Sequence, residues 1–303
     1  MLHVDLPEAI DKGELSLFAD DTNVYCIGQH VEEVTDKLNV IMSQIHDWCM
    51  NNKLTVHPGK SEAMMITKTP FIGPLRPLKY GDNFVKFVTA TNCLGLEIDK
   101  KLSWNVHIKK VSKNFSQKLG ALKRMNLPRM ALEEIYFKTI ISKVTYCISV
   151  WGNCSVPLFK TLESIHARAA RFIYSLPKTL SDEESIVRAN WQPLSYIYKR
   201  RLLTVMHKVY YNTGDEAIQS LFIKSQRNEN QFTVQRFNTE HGRNSLKYRG
   251  TVIWNVLPDS LKRIEHNKTL ENNLKGAIKV INNVNFTKGT TFVSHRLKDF
   301  TIF

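Results

Sequence analysis

The sequence predicts an α+β chain: a small antiparallel sheet covered by one helix, followed by a helical region and then by a mostly helical basic region. Three observations lead there. In the first hundred residues, short alternating runs of apolar and β-branched residues flank one long segment whose apolar residues recur at three and four. From Leu102 onward the period is helical. The charge changes at nearly the same place: residues 1–100 hold 9 Lys/Arg against 14 Asp/Glu, and the rest holds 33 against 14, so the later part supplies all of the formal net charge of +14. A field of that sign favours a polyanion, nucleic acid first and an acidic membrane surface second.

The first strands lie in LSLFADDTNVYCIG. Leu15 and Leu17 alternate with Ser16 and Phe18, Val24, Tyr25 and Ile27 follow, and the two runs are joined at Ala19 to Asn23, which puts Asp20 and Asp21 at a hairpin tip. Two carboxylates held there can take a hard cation, since Mg²⁺ is commonly bound through one or two protein carboxylates plus substrate phosphates. The plain alternative is a solvated turn, where Asp is common. Val31, Val34, Leu38, Ile41, Ile45 and Trp48 then mark an amphipathic helix ending near Asn51-Asn52. Leu54 to Val56 and Ala63 to Ile66 read as a strand pair around His57-Pro58-Gly59-Lys60, with a Pro/Gly-rich loop from Pro70 to Pro77. Phe84 to Val88 and Cys93 to Ile98 supply two more strands, closing a first region at residue 99.

Beyond it, Ile108, Val111, Phe115, Leu119 and Leu122 form one helical stripe, with Lys109, Lys110, Lys113, Lys123 and Arg124 on the opposite arc. Eight Lys/Arg and no acid lie between Lys101 and Leu132, so nothing on neighbouring turns neutralises that face. Leu127-Pro128 ends the helix, another begins at Leu132, and a third runs from Leu158 to Phe172 carrying Arg168 and Arg171. This second region spans 100–178. In 179–303, Trp191 to Tyr210 reads as helix, 224–250 as polar with little periodicity, Trp254 to Pro258 as an apolar knot, and the Asn/Lys-rich tail from Asn267 as partly helical.

Some classes fall away. Five cysteines without a Cys-x-x-Cys fit reduced thiols inside a cell, and Cys147, Cys154 and His166 match no zinc-finger spacing. MLHVDLPEAIDKGE lacks the basic and apolar runs of a signal peptide, and no apolar run reaches the length of a membrane span.

Taken in order, Phe18-Ala19-Asp20-Asp21-Thr22, Asn52-Lys53-Leu54 with Lys60-Ser61-Glu62, Cys93-Leu94-Gly95-Leu96-Glu97-Ile98-Asp99, and Leu102-Ser103-Trp104 with His107-Ile108 resemble the C-terminal half of a non-LTR (LINE-type, jockey-like) retrotransposon reverse transcriptase. Ile135-Tyr136, Tyr146-Cys147, Val150-Trp151-Gly152 and Trp254-Asn255 with Leu257-Pro258 resemble the region after the polymerase core. The resemblance implies that 1–99 is a partial polymerase palm and 100–178 a helical thumb. It implies that Asp20, supported by Asp21, holds Mg²⁺ between a primer 3′ hydroxyl and a deoxynucleoside triphosphate, and that Lys60 neutralises departing pyrophosphate. Leu94-Gly95 would grip the primer strand, and the helix from His107 to Arg124, with Arg168 and Arg171, would meet the backbone of RNA or an RNA:DNA duplex. The family places a further palm carboxylate, the fingers and a Pro-Gln-Gly segment upstream of the acidic hairpin. Here seventeen residues precede Phe18, and Leu2 to Ile10 resemble the segment just after that part, so truncation within the palm is expected.

Three readings stay open at this point. One is a nucleotidyltransferase, an RNA-directed DNA polymerase portion. Another is a binding module whose basic regions hold RNA or RNA:DNA while the acidic hairpin is a relic. The third is a remnant that does not fold stably, because half a palm leaves a sheet edge open. An intracellular ribonucleoprotein, in nucleus or cytoplasm, is the expected setting, with no membrane partner.

Overall fold

The computed structural model describes residues 5–11, 13–67, 73, 75–265 and 267–274. Leu2 to Val4, much of the loop from Pro70 to Pro77, and the tail from residue 275 lie outside the described residues. The chain divides into two compact units, 1–106 and 107–303.

In the first unit, β1 (Glu14–Phe18) and β2 (Asp21–Tyr25) pair antiparallel, and α1 (Val31–Asn51) follows. Then come β3 (Glu62–Ala63), β4 (Leu78–Tyr80), β5 (Asn83–Phe87), β6 (Ala90–Cys93) and β7 (Leu96–Asp99). The amphipathic stripe of α1 buries Ile41, Ile45 and Trp48 against Leu6, Leu78, Tyr80 and Val85, with Leu15, Leu17 and Val24 of the first hairpin packed on the same cluster. Removing that apolar area from water, at about 25 cal/mol per Å², is what holds so small a sheet.

The structure corrects the expected single antiparallel sheet. There are three small sheets, β1-β2, β3-β5-β4 and β6-β7, and β3 pairs with β5 in parallel. Leu54 to Val56 form no strand: Leu54 and Val56 turn inward onto the α1 cluster, which produces the alternation without a ladder partner. The run from Cys93 to Ile98 is broken by a two-residue turn at Leu94-Gly95 into β6 and β7.

The second unit is helical. α2 (Asn105–Lys123) enters it; a continuous helix follows from α3 (Arg129–Ile135) through a wider π turn at Tyr136–Ile141 into α4 (Ser142–Val144). Next are α5 (Ile148–Trp151), α6 (Val156–Ile173), α7 (Asp182–Arg188), α8 (Leu194–Tyr210), α9 (Glu216–Gln219), α10 (Glu240–Asn244), α11 (Leu246–Val256), α12 (Asp259–Lys262) and α13 (Asn267–Asn273). α6 packs against both α7 and α8, so residues on either side of 178 share one unit. α7 starts on a capping box: Ser181 Oγ accepts from Glu184 N at 3.2 Å while Glu184 Oε2 accepts from Ser181 N at 2.9 Å.

An aromatic stack forms the heart of this unit. Tyr136 lies 4.8 Å from Trp191, nearly parallel, and His166 stacks on both. His166 is fully buried, and burial pulls its pKa down to about 4, so the ring is neutral. The Gln192 carbonyl, 3.0 Å from Nε2, can only accept, so Nε2 carries the proton; Nδ1 then accepts from the Tyr136 hydroxyl at 2.5 Å. Glu133 Oε1 accepts from Tyr174 and from Trp191 Nε1. Trp254, expected in an apolar knot, is fully buried on α11 beside Tyr210 and Phe232.

Candidate functional site

Phe18 faces Asp21 across the first hairpin, which leaves only Ala19 and Asp20 in the turn. The tip is therefore tighter than the sequence implies: Asp20 is a turn residue, and Asp21 is the first residue of β2. Ala19 has φ +52°, the only positive φ of the two, which is the type II′ pattern that favours glycine. At the same position of the β4-β5 turn stands Gly81, φ +55°. In the β6-β7 turn Leu94 (φ +47°) and Gly95 (φ +84°) are both left-handed, a type I′ pattern. Positive φ at Ala19 and Leu94 is a conformation that a side chain disfavours. Positive φ also occurs at other non-glycine turns and helix ends of the chain, among them Lys53, Cys147 and Asn190, so it does not by itself mark a site.

Cross-strand partners share a face, so Phe18, Asp21, Asn23 and Tyr25 line one side of the hairpin while Leu15, Leu17, Thr22 and Val24 line the other. The second side meets the α1 cluster through Leu15, Leu17 and Val24. The first meets β6: the Cys93 thiol donates to Asn23 Oδ1 at 3.8 Å, and the Tyr25 hydroxyl is held above its usual pKa by burial and then by Cys93. Asp20 and Asp21 are exposed, as is Phe18 at 62%. The acidic tip and the Leu94-Gly95 turn thus belong to neighbouring hairpins.

Lys60 ends a 3₁₀ turn (Pro58–Lys60), is exposed, and makes no ion pair with Asp20 or Asp21 among the described residues. Among those residues no three His, Cys, Asp or Glu side chains converge as metal ligands. Two exposed carboxylates on one tip suit a largely hydrated Mg²⁺, which keeps several waters. Asp99, to which the sequence assigns no role, shapes the turn that leads into α2, its carboxylate accepting from Lys101 N, Ser103 N and Ser103 Oγ.

On α2, Ile108, Phe115, Leu119 and Leu122 are buried while Lys109, Lys110 and Lys113 are exposed, as are Lys123 and Arg124 at its end. Lys118 of the same helix is half-buried, its pKa lowered first by burial and then by the neighbouring Lys143. Lys123 Nζ lies 5.7 Å over the Phe172 ring. Arg168 is exposed; Arg171 is largely committed within the unit, donating from Nε to Ser185 Oγ at 2.8 Å and from Nη2 to Leu180 O at 2.9 Å and Asp182 Oδ1 at 2.6 Å.

Over 171 residues, 55% of its length, the chain is 20% identical to a curated protein described as "Probable RNA-directed DNA polymerase from transposon BS" of Drosophila melanogaster. The chain spans about a fifth of that protein, 19% of its length. No family model and no solved structure matches. The similarity supports a relationship to part of a transposon reverse transcriptase. No helix of the described residues is long and apolar enough to cross a membrane.

Proposed function

We propose that the chain is the acidic-hairpin and thumb portion of a LINE-type reverse transcriptase, and that it holds a primed RNA template or RNA:DNA duplex by its backbone without extending it unaided. In this reading 1–99 is palm, 100–178 thumb, and 179–303 a basic C-terminal region. What supports it most is one juxtaposition: the Phe18-Ala19-Asp20-Asp21 hairpin rests its Asp21 face on the hairpin of Leu94-Gly95 through Asn23 and Cys93, in a chain similar to a transposon polymerase.

Asp20 and Asp21 are the residues that would hold Mg²⁺, which supplies charge neutralisation at phosphate oxygens when bound. A two-metal site clamps the attacking and leaving oxygens together. With no third carboxylate converging on this pair among the described residues, binding is weak and positioning incomplete. Lys60 would meet departing pyrophosphate, Leu94-Gly95 the primer strand, and Lys109, Lys110, Lys113, Lys123 and Arg124 the template-primer phosphates.

A polymerase must accept any template, so its contacts go to phosphates and sugars. Competition between unrelated RNA:DNA duplexes of equal length tests this. The expected affinities lie close together; a preference above about 10³, the lower end of sequence-specific recognition, would instead make the chain a specific regulator.

A further inference from the structure

The helical unit carries a recess of about 370 Å³ lined by Lys123, Arg168, Arg171, Phe172, Leu176 and Lys178. Its lining holds four cations and no Asp or Glu. The four are brought there by three separate pieces of chain: the last residue of α2, the last two turns of α6, and the loop after Pro177. Asp182, the carboxylate bonded to Arg171, lines a different cavity, on the side of Ser164 and Trp191.

Part of this basic character has a simpler cause. Cations in the last turns of α2 and α6 complement the negative ends of those helices. Helix dipoles do not explain why two helix ends and a loop aim their cations into one concavity. Arg168 and Arg171 are three apart on one helix, and their mutual repulsion is offset by Asp182, which bonds Arg171 and is within electrostatic reach of Arg168. Lys123 is steadied over Phe172, and Arg171 is fixed by its bonds to Ser185, Leu180 and Asp182. Lys123 and Arg171 are therefore held in place before any ligand arrives, which lowers the ordering cost of binding.

We propose that this recess is a phosphate site, seating one phosphate group of a bound nucleic-acid strand between Lys123, Arg168 and Lys178, with Arg171 behind them. The inference rests on the nucleic-acid reading above and adds to it a stoichiometry. Along the open face of α2 each cation meets its own phosphate; in the recess several cations share one.

Salt dependence separates the two arrangements. Log affinity falls with log salt by about 0.7–0.9 per phosphate neutralised, so on this proposal the cations around the one seated phosphate count once. The full chain with Lys123→Gln, Arg168→Gln and Lys178→Gln together is titrated with a primed RNA template across a salt series. None of these three side chains fastens an element in the way Arg171 does, and thermal unfolding checks that the variant is folded. The expected result is a slope flatter by about one unit although three charges are gone. A slope flatter by two to three units means that each cation has its own phosphate, and overturns the shared site. An unchanged slope with RNA still bound overturns the recess and leaves the nucleic-acid reading standing; absence of RNA binding by the unmodified chain removes that reading itself. Templates with a 5′-phosphate and a 5′-hydroxyl are run side by side. A loss of affinity in the variant confined to the 5′-phosphate template identifies a strand end in the recess, and an equal loss identifies an internal diester.

Discussion

Lowering the pH from 7 to 4 is expected to cost the chain about 3 kcal/mol of folding stability through His166 alone. The ring titrates at about 4 in the folded unit against an ordinary value of 6.5. Between those values the unfolded chain binds the proton and the folded one does not. Stability is therefore full above pH 6.5, falls as pH drops toward 4, and levels off beneath it. The ring cannot relieve this locally: it is fully buried, stacked on Tyr136 and Trp191, with the Tyr136 hydroxyl at Nδ1 and the Gln192 carbonyl at Nε2. Glu163 works the other way. Burial raises its pKa despite the N–H donors of Leu194 and Ser195, so its protonation stabilises the fold as pH falls. Denaturant titrations followed by tryptophan fluorescence at pH 7, 5.5 and 4, on the chain and on His166→Gln, isolate the histidine. The variant should lose about 3 kcal/mol less across that range than the unmodified chain. An equal loss in both would mean that His166 is not the group that titrates.

The second large effect concerns the open face of α2. Lys109, Lys113 and Arg124 are exposed. Replacing all three by Gln should flatten the log-affinity against log-salt slope for a primed RNA template by roughly two to three units. Between 50 and 200 mM salt a protein making six to ten phosphate contacts loses about 10³–10⁵ in affinity. With three of those contacts gone, the variant should bind more weakly at low salt and lose far less of its affinity as salt rises. An unchanged slope would move the binding face off α2. The contrast with the single unit expected for the recess makes the two experiments mutually informative.

Much of this is legible in the sequence because it is local. The three-and-four spacing of Ile41, Ile45 and Trp48 predicts α1 and, with the Asn51-Asn52 pair, its end to within about a residue, and the stripe from Ile108 to Leu122 predicts which side of α2 faces solvent. The acidic hairpin is legible, but its exact turn is not, because Ala19 holds a left-handed conformation that its side chain disfavours. What the sequence hides depends on partners distant in the chain. Leu54 and Val56 alternate as a strand does, yet their neighbour is the α1 cluster. The parallel pairing of β3 with β5 and the short β4 leave no periodic trace in two or three residues. α7 does carry a readable signal, Ser181 with Glu184 three residues on, which its polar surroundings obscure. The recess has none: Lys123, Arg168, Arg171 and Lys178 meet only through folding.

On the proposed function, the chain holds primed RNA but does not by itself complete a polymerase site. Carboxylates converging from at least two strands are needed to hold two metals at a fixed separation, and loss of that positioning can forfeit many powers of ten in rate. Asp20 and Asp21 occupy one hairpin. The most direct test is primer extension on a primed RNA template with Mg²⁺ and deoxynucleoside triphosphates, at a concentration where binding is saturated, beside the Asp20→Asn, Asp21→Asn variant. The expected result is template bound by both proteins and the same background extension from each. Mg²⁺-dependent extension above the variant's level would contradict it and require a further carboxylate at the site.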